Sequence, residues 1–191
     1  MRLSPHVARF TLALALTFVV AVPAGATTLI RQGLDKLTSE NSAVVYGRVL
    51  DIHSYWNAER TMIMTDVRVR PSLVLKGDRS AREIIFTLLG GTVGETTTLI
   101  IGGPELVPGS DYILFLNREQ LHGERPVLTV RDLAQGAFEF ADLGAGRRVY
   151  SQALHHVLLP DAEGLSDPPG GSEGLNLDEM LTRVRQLAGD R

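Results

Sequence analysis

The 191-residue chain contains no cysteine, which excludes disulfides, thiolate metal sites, thiol nucleophiles and a lipidated cysteine. Aromatic residues are scarce, at 6%, and a formal net charge of −3 leaves no basic excess. Nucleic-acid binding calls for stacking aromatics in a basic groove, so it is not expected of this composition. No N-x-S/T acceptor occurs. The apolar run from Phe10 to Val22 covers about 13 residues, short of the ~20 that a bilayer-spanning helix needs, so no stable membrane anchor is expected. What is present is the balance of a folded protein, with 44% hydrophobic and 21% charged residues over the length of one ordinary domain.

The first stretch carries a targeting pattern. Arg2, His6 and Arg9 form a basic start, Phe10 to Val22 an apolar centre, Pro23 a break, and Ala24-Gly25-Ala26 a small-x-small cleavage site. This predicts a Sec-type signal peptide over residues 1–26, cleaved after Ala26, in a bacterial protein that is periplasmic or secreted. There is no twin-arginine pair. Removing Arg2 and Arg9 takes the net charge from −3 to −5. About 165 residues then remain, enough for a core that needs no disulfide.

Along the mature chain the hydrophobic period changes once near each end. Ile30, Leu34 and Leu37 recur at helical spacing and predict a short helix over Thr27 to Asn41. Strands are predicted at Ala43–Ile52, with Gly47 marking a bulge, and at Thr61–Arg70, with Thr65, Val67 and Val69 on one face. Pro71 is expected to end or kink the second strand. Further strands are expected at Glu83–Leu89, Thr96–Ile101, Asp111–Leu116, Val127–Val130 and Ala137–Phe140. The run at Asp111–Leu116 is almost continuously apolar, as for a strand buried on both faces. Gly90 to Gly94 reads as a turn, and Tyr150 to Leu159 fits helix and strand equally. Leu165 to Gly174 reads as linker around Pro168-Pro169-Gly170-Gly171. Asn176 and Glu179 have capping-box spacing before an apolar stripe of Leu177, Met180, Leu181, Val184 and Leu187, which predicts a C-terminal helix.

The fold class expected is therefore mainly β: a small five- to seven-stranded OB-like barrel with a short N-terminal helix and a C-terminal amphipathic helix. The organisation expected is a signal peptide over 1–26, helix plus barrel over 27–145, an irregular segment and linker over 146–174, and the last helix over 175–191.

Three blocks carry a resemblance. Val44-Val45-Tyr46-Gly47-Arg48-Val49 resembles an opening "VVxGxV" strand. Thr65-Asp66-Val67-Arg68-Val69 with Val74-Leu75-Lys76-Gly77 resembles a long strand ending in "VLKG". Pro108 to Leu116 resembles a "PGxxYLLFL" strand. The order is similar to that of netrin-like domains and tissue inhibitors of metalloproteinases, and to uncharacterised exported bacterial proteins with the same blocks. The resemblance covers Ala43 to Phe140 and implies an OB-fold barrel. Those inhibitors chelate zinc through an N-terminal cysteine, which this chain lacks, so their mechanism carries over to no residue here.

Gly170-Gly171-Ser172-Glu173-Gly174 spells G-x-S-x-G, but Asp167-Pro168-Pro169 before it cannot be the strand of a nucleophile elbow. Gly90 to Gly94 lacks the lysine and following hydroxyl of a phosphate loop. His53, His122, His155 and His156 have no ligand spacing, and Asp51 with His53 makes two metal ligands without a third. No catalytic residue, metal or cofactor is therefore expected. In the polar stretch His53-Ser54-Tyr55-Trp56-Asn57, the only tryptophan stands beside a tyrosine, residue types enriched at binding hot spots. Tyr55, Trp56 and Arg60 are the candidate partner-binding residues, with Trp56 alternatively folding back to cap a barrel end. The function expected is a non-enzymatic exported module that binds an envelope or extracellular protein. A secreted protease, met as an accessory protein or inhibitor, is the alternative partner, and a small hydrolase is the second alternative.

Overall fold

The computed structural model describes residues 31–121, 125–130, 132–142, 147–155 and 173–189. Residues 1–26, where a signal peptide is expected, and His122, His156, Ser172 and most of the expected linker lie outside the described residues.

The chain is mainly β, with a short helix near its start and a longer one near its end. Helix α1 (Leu34–Glu40) is followed by β1 (Ala43–Trp56), β2 (Ile63–Lys76), β3 (Ile84–Leu89), β4 (Gly91–Val93), β5 (Thr96–Thr98), β6 (Asp111–Glu119), β7 (Val127–Val130), β8 (Ala137–Asp142), β9 (Arg147–Ser151), β10 (Leu175–Asn176) and α2 (Leu177–Gly189). Single 3-10 turns occupy Leu133–Gly136 and Gln152–His155.

Strand β6 is the centre of an eight-stranded antiparallel sheet. Its neighbour on one edge is β1, which leads on to β2 and β3. On its other edge it pairs β8 with its first half and β7 with its second. β8 continues to β9 and β10. Strands β3 and β7 are thereby brought side by side, yet no ladder joins them among the described residues. The sheet therefore has eight strands rather than five to seven, and hydrogen bonds do not close it into a barrel. β4 and β5 form a separate two-stranded hairpin.

Alternation along the strands produces two cores. On the inner face Val45, Val49, Val67, Val69, Phe86, Tyr112, Leu114 and Leu116 pack together. On the outer face Val44, Leu75, Ile113, Phe115 and Phe138 meet Leu34 and Leu37 of α1 and Met180, Leu181 and Val184 of α2. The continuous apolar run in β6 follows directly, since both of its faces are covered. Gly47 sits at a register shift in the β1–β2 ladder. A Cβ there would stand 2.6 Å from the Arg70 carbonyl oxygen, closer than any real side chain approaches.

The helices owe their form to these cores. Seven residues are too few for a stable isolated helix, so α1 depends on burial of Leu34 and Leu37. Residues 31–33 ahead of it are not helical, which shortens the helix expected over 27–41. Its C-terminal carbonyls are satisfied by Lys76 of β2, whose Nζ donates to the Thr38 and Ser39 oxygens at 2.7 and 3.2 Å. In α2, Asn176 Oδ1 accepts the Asp178 and Glu179 N–H groups at 2.9 and 3.3 Å, the expected cap with asparagine in the usual serine position. Among the described residues no helix is long and apolar enough to cross a membrane.

Candidate functional site

Where β3 and β7 fail to pair, an apolar cleft of about 720 Å³ opens. Its floor is Ile52, Thr65 and Val67 of β1 and β2, and its sides include Leu88 of β3, Val130 of β7 and Leu133 of the first 3-10 turn. The β4–β5 hairpin and the segment from Leu99 to Leu106 form its rim. Among the described residues, the charged ones lining it are Glu105, Glu119 and Asp132, all acidic.

Two glycines place the hairpin. Gly90 and Gly91 have φ of +89° and +123°, the region that favours glycine, and they turn the chain out of β3. The Gly90 N–H donates to the Ile63 oxygen at 2.8 Å and its carbonyl accepts the Thr65 hydroxyl at 2.6 Å. The space a Gly91 side chain would need is filled by the Ser54 and Thr65 hydroxyls, which bond to each other at 2.8 Å. Gly91 to Val93 is thus strand rather than part of a five-residue turn, and the hairpin turn lies at Gly94-Glu95.

The fourth expected strand, Thr96–Ile101, ends at Thr98. Beyond it Leu99 and Ile101 are 81% and 85% exposed, and Val107 is 57% exposed. The segment that carries them is held at several points. The Gly102 carbonyl accepts the Ala134 N–H at 2.9 Å, and Gly103 N–H bonds to the Ile100 oxygen at 3.0 Å. Buried Gln152 clamps Glu105, accepting its N–H at 3.0 Å and donating to its carbonyl at 2.7 Å. The Val107 N–H donates to the Tyr112 hydroxyl at 3.0 Å. The lip is anchored on its backbone while Leu99 and Ile101 face solvent.

The residues singled out from the sequence lie at the far end of the β1–β2 hairpin. β1 runs on through His53 to Trp56, so Trp56 is the last strand residue, paired with Ile63, rather than part of a loop. Alternation separates it from Tyr55. Trp56 shares a face with Ile52 and Ser54, whereas Tyr55 stacks on His53 with ring centroids 6.2 Å apart and donates to Asp66 at 3.1 Å on the other. Arg60 is exposed in the turn with φ of +54°. That turn is organised by Asn57, whose Oδ1 accepts the Thr61 and Met62 N–H groups at 2.8 and 3.1 Å. The structure therefore brings Trp56 to the sheet face that floors the cleft and Tyr55 to the opposite face, with Arg60 in the turn beyond them.

Elsewhere on the outer face, Arg48 grips Asp111 with two hydrogen bonds at 2.9 and 3.0 Å. Arg147 approaches the same carboxylate at 3.9 Å, donates to the Tyr46 hydroxyl at 3.0 Å and lies over the Phe140 ring. Hydrogen bonding from Arg48 holds the Asp111 carboxyl below its ordinary range, outweighing partial burial, with the Arg48 and Arg147 charges acting in the same direction. The paired Asp111 raises Arg48 further above its already high value. Asp51 pairs with Arg68 at 3.5 Å. Among the described residues no group of three or more His, Cys, Asp or Glu is arranged to hold a metal ion.

No protein-family model matches the chain, and no curated protein matches it. The cleft and its lip were not anticipated from the sequence. Leu99-Ile100-Ile101 before Gly102-Gly103-Pro104 carries the same signal as a buried strand end, and nothing local marks its side chains as exposed.

Proposed function

We propose that this chain is an exported, non-enzymatic binding module whose partner is a protein of the cell envelope or extracellular space. The observation that carries the reading is the anchored lip, where Leu99 and Ile101 are held out in solvent at 81% and 85% exposure beside an apolar cleft. A large apolar side chain gains about 1.5–3 kcal/mol on full burial, which these two forgo within the monomer and which a docked partner would recover. Export rests on the pattern of residues 1–26 and is checked by N-terminal sequencing of the protein from periplasmic and culture fractions, with Thr27 expected first.

The binding test compares the mature chain with a Leu99→Ser/Ile101→Ser variant in affinity capture from envelope and supernatant fractions. The expected result is a protein retained by the parent and lost by the variant, with both melting at the same temperature. Equal recovery by the two forms, or no specific recovery by either, refutes the lip as a docking surface. Trp56→Ala belongs in the same comparison because Trp56 shares the cleft-floor face. Tyr55→Phe is expected to leave capture unchanged.

A further inference from the structure

We infer that the cleft takes an extended peptide segment bearing one large apolar side chain flanked by lysine or arginine. This rests on the binding-module reading above and deepens it to a partner chemistry. Three features of the cleft converge on such an occupant. The first is charge: among the described residues the charged side chains that line the cleft are Glu105, Glu119 and Asp132, so a basic flank is attracted and an acidic one repelled. The second is the apolar lining formed by Ile52, Val67, Leu88, Val130 and Leu133, continuous with the exposed lip, which suits a single buried anchor.

The third feature is the strand edge. β5 pairs only with β4 among the described residues, and its other edge runs from Thr96 to Thr98 directly into Leu99. An extended chain laid on that edge satisfies the open backbone groups while alternate side chains point toward the cleft, as in strand addition. Thr97 and Thr98, which line the cleft, lie on this strand. A peptide is preferred over an apolar small molecule because only a peptide uses the edge, the apolar lining and the acidic rim together.

The test uses fluorescence anisotropy on the mature chain with four labelled eight-residue probes that differ in two properties. One carries a central leucine and flanking lysines, the second replaces lysine with glutamate, the third replaces leucine with serine, and the fourth has leucine with uncharged flanks. The inference expects the first probe to bind best, at least tenfold tighter than the second and third. Raising the salt from about 50 to 300 mM should weaken the first probe and leave the fourth unchanged. Leu99→Ser/Ile101→Ser should weaken the first probe tenfold or more, and Glu105→Gln several-fold. Arg183→Ala, on the exposed face of α2, should change nothing.

Equal binding of the first and second probes overturns the charge argument while leaving a binding module in place. Equal binding of dodecyltrimethylammonium, tested by competition, overturns the peptide in favour of a cationic amphiphile. Concentration-dependent dimerisation abolished by Leu99→Ser/Ile101→Ser assigns the lip to a second copy of this chain and also overturns it. Should no probe bind below about 1 mM, the inference fails, and the capture experiment alone then decides the binding-module reading.

Discussion

Met180 lies at the centre of the contact between α2 and the outer face of the sheet. It is 1% exposed and belongs to the same cluster as Leu34, Leu37, Phe115 and Phe138. Met180→Ala removes three side-chain heavy atoms, whose lost transfer free energy is roughly 2.5 kcal/mol at about 0.8 per methylene equivalent. The void left between a helix and a stiff sheet collapses only in part, which adds to the cost, whereas alanine's better helix propensity returns a few tenths. The net expectation is about 3 kcal/mol, or a fall in Tm of roughly 6–12 °C for a domain of this size. The assay is urea unfolding of the chain from Thr27 onward, followed by circular dichroism, where the midpoint should fall and the slope stay constant. Arg183→Ala on the exposed side of the same helix is the internal control and should stay within about 0.5 kcal/mol. A loss below about 1 kcal/mol for Met180→Ala, or equal effects at the two positions, would mean that α2 does not rest on the sheet.

Three further outcomes follow from the geometry around the cleft and the outer face. Gly91→Ala meets both a backbone with φ of +123° and the Ser54–Thr65 hydroxyl pair, so it should cost about 2 kcal/mol or more in urea unfolding, and Ser54→Gly should return part of the loss. Gln152→Ala leaves the N–H and carbonyl of Glu105 without their partner; amide exchange over residues 99–107 should quicken, and stability should fall by about 2 kcal/mol. Because Asp111 has its carboxyl lowered in the fold, its contribution is present above the ordinary carboxylate value near pH 4 and is lost as pH falls through the lowered folded value. Asp111→Asn should therefore flatten the fall in stability across that acid window and leave its slope between pH 6 and 8 unchanged, as read from Tm against pH.

How much of this was legible in the sequence depends on what each residue pattern encodes. Thr65, Val67 and Val69 are all buried on the inner face because strict alternation encodes one covered side. The unbroken run in β6 encodes two covered sides, and Ile113 and Phe115 do face the helices while Leu114 and Leu116 face inward. Strand length was less legible. β1 extends four residues past Ile52 through polar His53 and Ser54 because β2 supplies the ladder partners, and pairing overrides composition there. Pro71 does not end β2, since it lies opposite Gly47 where the register is already shifted and beyond the last β3 pair at Val69–Ile84. The site was legible only in part. The sequence pointed to Trp56 through its residue type, but exposure at Leu99 and Ile101 arises from where a hairpin and a 3-10 turn hold their backbone. Three apolar residues in a row encode neither fact.

The distribution of exposed apolar side chains then bears on why the cleft exists. Four large hydrophobics are markedly exposed among the described residues: Ile85, Leu99, Ile101 and Val107. Single exposed apolar residues are ordinary on any surface, but three of these four fall within nine residues of one another. The same protein covers the outer face of its sheet with both helices, so it has the means to bury apolar surface. On the inner face the corresponding cover at the β3–β7 gap comes from the β4–β5 hairpin and the segment from Leu99 to Leu106, with Gly90-Gly91 and Gly102-Gly103 at their bends. A cover built this way spends its hydrogen bonds fixing the loop and leaves Leu99 and Ile101 in solvent. Folding alone gains little from holding Leu99 and Ile101 in water, because stabilisation scales with the area removed from it. On the binding reading proposed above, a lip anchored on its backbone would lower the ordering cost of docking, and that is the physical advantage it would offer a partner.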